Sequence, residues 1–367
     1  MSDDARFMAL ALSLGRRGQG AVWPNPAVGC VIVQQGRIVG RGWTQPGGRP
    51  HAEPQALRQA GPAAQGATVY VTLEPCAHTG KTPPCADALV AAKPARVVIA
   101  CTDSDPRVSG KGIAILRAAG IIVDVGVLED EARADHLGFF LRVDEGRPMV
   151  TLKLASSFDG RIATASGESQ WITAPPARRV VHAMRNRHDA VMVGGGTARQ
   201  DDPSLTVRDL GTTRQPTRIV VSNGLDIPLN GALARTANDI PLILCHGPKA
   251  PAELIETWES LGATLISCTP KMGQIDADDM LRQLGRHGLT RIFCEGGGGL
   301  AATLLKADLV DQLVGFTAGL ALGADGLPAI APLQLPRLAQ APRFTLTETS
   351  RIGPDLLHIW ARSNTPA

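Results

Sequence analysis

One imidazole, two thiols and a carboxylate stand within a short stretch of this 367-residue chain. His51 and Glu53 lie in Pro50-His51-Ala52-Glu53, Cys76 follows Glu74-Pro75, and Cys85 follows Pro83-Pro84. A catalytic zinc ion takes three protein ligands and keeps its fourth position for water, and one His with two Cys supplies that set. The metal makes its water more acidic, and a carboxylate beside the metal but not on it can carry the released proton to a leaving amine. The residue types therefore point to His51, Cys76 and Cys85 as ligands of one Zn2+ per chain, with Glu53 as the catalytic proton shuttle. Taken singly, each has a bland role: His51 in a turn, the cysteines as small buried hydrophobes, Glu53 as favourable charge in a helix's first turn. A closed structural zinc site is a further alternative, which needs a fourth ligand; His78 is available for it.

Two glycine clusters follow apolar runs in the second half, Gly194-Gly195-Gly196-Thr197 and Glu295-Gly296-Gly297-Gly298-Gly299. No G-x-G-x-x-G follows the first strand of that half, so the standard dinucleotide fingerprint is missing. Bare backbone at a helix N-terminus can still approach a pyrophosphate and donate N–H groups to it. A tight turn is the competing explanation.

The elements that must position these residues alternate as in an α/β protein. In the first half, strands are expected at Val28–Val33, Arg37–Gly42, Thr68–Val71, Arg96–Cys101 and Ile121–Val125. Helices are expected at Phe7–Gly15, Glu53–Ala60, Cys85–Lys93 and Lys111–Ala119. A charged turn, Asp144–Pro148, separates a first domain (1–146) from a second (147–367) that opens on the strand Met149–Ala155. Further strands are expected at Ala190–Gly194, Arg218–Ser222, Leu242–Cys245, Leu265–Ser267, Arg291–Glu295 and Gln312–Ala318. Helices fall near Pro175–Arg187, Pro251–Leu261, Ala277–Gly288 and Leu300–Ala307.

Composition narrows the class. Hydrophobic residues at 44% with 19% charged residues exclude a disordered chain, and a net charge of +3 without a basic run argues against a nucleic-acid partner. No window reaches the ~18 apolar residues of a membrane span, and acidic Asp3 and Asp4 precede the N-terminal apolar stretch where a signal peptide would be basic. Seven cysteines, an odd and sparse set, fit a reducing cytoplasmic location better than a disulfide framework. A homo-oligomer is expected.

H-x-E followed by P-C-x-x-C is a signature of zinc nucleobase deaminases, but here eight residues separate the two cysteines. That longer spacing, filled by Ala77-His78-Thr79-Gly80-Lys81-Thr82-Pro83-Pro84, together with Pro24-Asn25-Pro26 and Val28-Gly29-Cys30-Val31, resembles the bifunctional riboflavin-biosynthesis deaminase/reductase family. The second half resembles that family's reductase domain in Leu152–Ala155 with Asp159-Gly160, in Gly167–Thr173, in Asp201–Arg208 and in the Glu295–Gly299 loop. The resemblance implies a cytidine-deaminase-like zinc domain followed by a dihydrofolate-reductase-like domain that uses NADPH. It places the deaminase substrate against Asn25, His78 and Lys81. It places cofactor contacts on Ala155, Trp171, Thr197, Asp201, Ser222 and the run Gly297, Gly298, Gly299, Leu300, Ala301, Ala302 and Thr303. Reductase substrate contacts fall on Ser169, Arg185, Leu205, Arg208 and Glu295.

The chemistry of these side chains agrees with those roles. Arg185 and Arg208 offer planar forks for a phosphate, and Glu295 can accept ribose hydroxyls. Asp201 and Asp202 have a competing role as turn or cap formers before Pro203. Two positions depart from the family. Trp43-Thr44-Gln45 stands where a substrate-contacting His is common, and Pro54 follows Glu53, a placement that a first helical turn tolerates. The implied activity is hydrolytic deamination of a diaminopyrimidinone phosphoriboside, then reduction of its ribosyl group to ribityl, with small pyrimidine phosphoribosides as substrates and neither nucleic acid nor membrane as a partner. The alternative is a deaminase of another pyrimidine nucleotide carrying a non-reductive nucleotide-binding second domain.

Overall fold

The computed structural model describes residues 2–78 and 83–363, which form two compact units, Met1–Gly146 and Arg147–Ala367. The first unit runs α1 (Asp3–Gly15), β1 (Gly29–Gln34), β2 (Arg37–Trp43), α2 (Ala52–Ala60), β3 (Thr68–Val71), α3 (Cys85–Ala92), β4 (Arg96–Ile99), α4 (Lys111–Ala118), β5 (Ile122–Val125) and α5 (Glu129–Asp144). Its sheet has the order β2-β1-β3-β4-β5: β1 is antiparallel to β2 and β3, whereas β3, β4 and β5 are parallel. Val31, Ile32, Val69, Val71, Val97, Val98 and Ile99 fill the core, as expected of short Val/Ile strands buried on both faces.

Helix α2 rests on β2 through backbone. A Cβ at Gly40 would lie 2.3 Å from the Ala56 carbonyl oxygen, and one at Gly42 would lie 2.1 Å from that of Ala52. Side chains at these two positions would hold the helix off the sheet.

The second unit runs β6 (Met149–Ser157), β7 (Arg161–Ala163), α6 (Pro175–Asn186), β8 (Ala190–Gly194), α7 (Gly195–Asp201), β9 (Thr217–Val221), α8 (Ala232–Arg235), β10 (Leu242–His246), α9 (Ala252–Ser260) and β11 (Thr264–Ser267). It continues with β12 (Pro270–Lys271), β13 (Gln274–Ile275), α10 (Ala277–Arg286), β14 (Arg291–Gly296), α11 (Gly298–Lys306), β15 (Gln312–Ala318), β16 (Leu327–Pro328), β17 (Phe344–Ile352) and β18 (Asp355–Arg362). The main sheet has nine strands in the order β11-β10-β9-β8-β14-β6-β15-β18-β17, parallel through β15, with β18 and β17 added antiparallel.

Most expected elements appear with ends shifted by one or two residues. The short elements β7, α8, β12, β13 and β16 are additional, and three larger features differ. Helix α5 covers a segment in which no helix is expected, because its buried side (Ala132, His136, Gly138, Phe140) carries few apolar residues to show a period. The hairpin β17–β18 is also unexpected: most of β17 is exposed and its sequence is polar, as befits an edge strand. The cluster Gly194–Thr197 opens α7, a short helix absent from the expected set, so bare backbone at a helix start holds here over the tight turn.

Buried polar groups tie the second sheet together. Arg147, 2% exposed, donates two hydrogen bonds to Asp311 at 2.8 and 2.9 Å, and Asp311 also accepts from the Val150 backbone N–H at 2.8 Å. His188, just after α6, has Nδ1 2.7 Å from the Met184 carbonyl oxygen and Nε2 3.0 Å from Thr151 Oγ1. Burial, with a lesser push from Arg291, holds its pKa down at about 3.

A histidine in the unfolded chain titrates near ~6.5. Between that value and about 3, the unfolded chain binds a proton that the folded unit refuses. Stability from this site is therefore present above pH ~6.5 and falls by up to about 1.4 kcal/mol per pH unit below it. The urea midpoint should show wild type ahead of His188→Gln at pH 8, with the gap narrowing steadily toward pH 4. A gap that stays constant with pH would mean that His188 does not titrate in this window.

Candidate active sites

Three elements deliver the metal-binding candidates of the first unit. His51 is the residue immediately before α2, in extended conformation, and Glu53 lies in that helix's first turn. Pro54 also sits in the first turn and leaves the helix intact. Cys76 lies on the segment after β3, and Cys85 is the first residue of α3. One ligand atom from each of His51, Cys76 and Cys85 falls within 4.8 Å of the others. His51 Nδ1 is 3.3 Å from Cys85 Sγ and 3.7 Å from Cys76 Sγ, and the Cys85 backbone N–H donates to Cys76 Sγ at 3.3 Å.

The donor set fits zinc. Hydrogen bonding from Cys85, and then from His51, holds the Cys76 thiol well below its ordinary value. A thiolate is the form that binds a metal. Cys85 is held correspondingly high as the thiol that donates to Cys76. His51 Nε2 is buried with no partner among the described residues, leaving Nδ1 on the side of the two sulfurs.

Glu53 is 3% exposed and stands outside the converging ligand atoms. Burial, reinforced by the negative charge of Cys76, raises its carboxyl to about 6. A carboxyl poised near neutrality can both take and return a proton.

The remaining deaminase candidates are less uniform. The Asn25 side chain packs against Gly48, where an added Cβ would lie 1.9 Å from its Nδ2, three residues before His51. His78 Nδ1 is buried without a partner among the described residues, and the residue is not part of the three-ligand group. Lys81 lies outside the described residues. The Thr44 hydroxyl is spent on the backbone, accepting from the Val28 N–H at 3.0 Å.

In the second unit a cavity of about 1070 Å³ gathers nine of the residues singled out by sequence. Ala155, Ser169, Trp171, Arg185, Thr197, Asp201, Leu205, Arg208 and Glu295 all line it. Arg185 Nε bonds to Glu295, and its NH1 donates to the Thr206 carbonyl oxygen at 2.7 Å, so much of its fork is already committed. Burial pushes the Glu295 carboxyl up, but Arg185 and Lys153 outweigh it and hold the group below its usual range. The Arg208 side chain is exposed at the cavity, while its backbone N–H donates to His182 Nδ1 at 3.2 Å. The Arg178 guanidinium lies 4.4 Å over the Trp171 ring and donates to the Thr173 carbonyl oxygen.

The other cofactor candidates flank this cavity instead of lining it. Gly297, with φ of 75°, precedes α11, and a Cβ there would lie 2.9 Å from Thr197 Oγ1. The two glycine clusters are thus neighbours. Gly298 and Gly299 open α11 with bare backbone. Leu300 packs toward Gly194 and Gly296, Ala301 and Ala302 are buried in the core, and the Thr303 hydroxyl donates to the Gly299 carbonyl at 3.0 Å. Ser222 donates to Asp226 at 2.6 Å beside Gly195.

Among the cavity residues that sequence reasoning passed over are Lys153 and His182. Lys153 Nζ lies 3.8 Å from Glu295, and burial lowers its pKa. A lone cation within the apolar strand Met149-Val150-Thr151-Leu152-Lys153-Leu154 was the available signal. His182 falls between Arg178 and Arg185 at i, i+4, i+7, one face of α6.

Comparison with known proteins matches each unit to a family domain. Residues 1–101 match the cytidine and deoxycytidylate deaminase zinc-binding region, and residues 148–358 match the RibD C-terminal domain. Riboflavin biosynthesis protein RibD of Escherichia coli K12 is 42% identical, over 97% of this chain and 99% of that protein. Its counterpart in Aquifex aeolicus is 39% identical over 98% of each chain. Among solved structures, Acinetobacter baumannii RibD superposes with a TM-score of 0.87 at 37% identity, covering 98% of this chain and 99% of that one. The Thermotoga maritima diaminohydroxyphosphoribosylaminopyrimidine deaminase/5-amino-6-(5-phosphoribosylamino)uracil reductase does so at 0.85 and 33%, with the same coverage. A zinc-type deaminase unit followed by a RibD-type reductase unit, matched over nearly the whole length of both, places this chain in the RibD family of bifunctional riboflavin biosynthesis proteins.

Proposed function

We propose that the first unit removes the 2-amino group of 2,5-diamino-6-(5-phosphoribosylamino)pyrimidin-4-one by hydrolysis. The second unit then reduces the ribosyl group of 5-amino-6-(5-phosphoribosylamino)uracil to ribityl. The observation that carries the reading is the convergence of His51, Cys76 and Cys85 with the buried carboxyl of Glu53 beside them.

Zinc held by those three residues supplies the Lewis acidity that makes water a nucleophile at neutral pH. Glu53 takes a proton from the attacking water and gives it to the departing nitrogen. Water oxygen bonds to the ring carbon, the carbon–nitrogen bond breaks and ammonia leaves. Asn25, His78 and Lys81 orient the pyrimidine.

In the reductase, NADPH supplies the hydride. The ionised Glu295, braced by Arg185 and Lys153, accepts hydrogen bonds from ribose hydroxyls. Arg208 and the uncommitted face of Arg185 take the phosphate, with Ser169 and Leu205 completing that wall. The exposed indole of Trp171, together with Ala155, Thr197, Asp201 and Ser222, borders the cofactor, and residues 297–303 meet it through the bare start of α11.

The substrates are small pyrimidine derivatives. No helix among the described residues is long and apolar enough to cross a membrane. A cytoplasmic location accords with seven free cysteines. No nucleic-acid or membrane partner is proposed, and a homo-oligomer would cover the exposed Phe158 and Leu338.

Three substitutions test the assignment. Cys76→Ser should lose zinc and deaminase activity together, measured by metal analysis and ammonia release, while reduction of supplied deaminated substrate continues. Full deamination by verified zinc-free protein would sink the metal assignment. Glu53→Gln keeps the ligands and the shape, so it should retain zinc but deaminate on the order of 10²–10⁴-fold more slowly, the range for losing one acid/base group. Loss of reduction in that variant, still folded and zinc-loaded, would refute the division of labour between the units. Arg208→Ala should raise the reductase KM for the phosphoriboside far more than that for NADPH; equal increases would indicate a structural role.

A further inference from the structure

Glu74 stands two residues before Cys76, outside the converging ligand atoms, and takes no part in the chemistry above. Its side chain is 3% exposed. A carboxylate so deeply buried must be answered by hydrogen bonds, and here the backbone answers it. Oε1 accepts from the N–H groups of Gly112 at 3.0 Å and Ile113 at 3.3 Å. Oε2 accepts from Gly110 at 3.0 Å and, more distantly, from Asp103 at 3.4 Å. Three of these donors are the residue before α4 and amides of its first turn, where the helix is electropositive.

Those donors lie at both ends of one loop. Asp103 lies early in the segment that follows β4, and Gly110 closes that segment just before α4. One carboxylate therefore clamps the loop shut. The packing requires the same arrangement: a Cβ at Gly112 would lie 2.1 Å from the Pro75 carbonyl oxygen and 3.3 Å from Glu74 Cγ, so α4 begins directly on the Glu74-Pro75 step. The clamped loop carries Asp103, Ser104 and Asp105. Hydrogen bonds from Arg107 hold the Asp105 carboxyl below its usual range, and His78 is near enough to add a lesser pull in the same direction. Ser104 Oγ and His78 Nδ1 are both buried without a partner among the described residues. Native proteins rarely leave such atoms unpaired, so a polar ligand atom is the natural complement to each of them.

We propose that Glu74 is a positioning residue of the deaminase site, its carboxylate fixing the loop 102–110 beside His78 so that substrate meets a preformed wall. The proposal rests on the deaminase reading given above. Glutamine at this position has nearly the same shape but one acceptor oxygen in place of two, and its amide would face N–H groups.

Glu74→Gln in the full-length zinc-loaded chain tests it, with deaminase kinetics, zinc content, reduction of supplied deaminated substrate, and amide hydrogen exchange all measured. The deaminase KM should rise about tenfold, the scale of one lost charged hydrogen bond, while kcat changes by less than about threefold. Zinc content and reductase turnover should match wild type, and exchange should accelerate across residues 102–113. Should Glu74→Gln fail to fold, Glu74→Asp keeps the charge at the helix N-terminus but falls one methylene short, and its KM is read in the same way. An unchanged KM in folded, zinc-loaded protein overturns the proposal. So does loss of zinc whose replenishment restores wild-type KM, because Glu74 would then act on Cys76 and not on the loop. Absence of deamination in wild type would instead count against the underlying deaminase reading.

Discussion

Helix α2 lies on its sheet at backbone distance, and the chemistry of the first unit depends on that approach. The carbonyl oxygens of Ala52 and Ala56 occupy the space where side chains at Gly42 and Gly40 would stand. The helix can therefore set its N-terminus, with His51 before it and Glu53 in its first turn, against the ends of two other elements. Cys76 comes from the segment after β3 and Cys85 from the start of α3, so no local stretch of chain fixes the three ligand atoms within reach of one another. A helix raised by even one methyl group would carry His51 and Glu53 away together. Catalytic geometry tolerates such shifts poorly, since about 1 Å of misplacement can cost two orders of magnitude in rate.

The same close packing sets the electrostatics. Glu53 is dry because α2 is pressed onto the sheet, and dryness raises its carboxyl toward neutrality. Cys76 shares that interior yet is driven the other way, because its neighbours donate hydrogen bonds to it. One buried interior thus drives a carboxyl up and a thiol down by their partners and not by their depth.

The second unit handles charge differently. Its cavity holds a carboxylate, Glu295, between two cations, Arg185 and Lys153, all three largely buried. Such a cluster is costly to desolvate and is kept only where each charge is answered. The arrangement leaves Glu295 ionised and oriented, and it leaves the exposed Arg208 as the freer cation of the two arginines singled out by sequence. Beside it the two glycine clusters meet at Gly297 and Thr197, where absent side chains open the start of α11.

The sequence by itself determined the ligand types, the α/β alternation and most element positions, because those depend on local chemistry. Sulfur, imidazole and carboxylate in zinc-like order can be read along the chain, and so can the periodicity of Val- and Ile-rich strands. Helix α5 and the hairpin β17–β18 escaped because their buried faces are thin and their polar residues give no clear period. Only the tertiary structure decided how the charges are spent. That Arg185 is engaged by Glu295 and Thr206, that Lys153 joins them, and that Glu74 clamps a loop follow from segments far apart in sequence meeting in a water-poor interior. A side chain's type states what it can bond to. Which partner it finds depends on the fold, because burial makes one arrangement much cheaper than the rest.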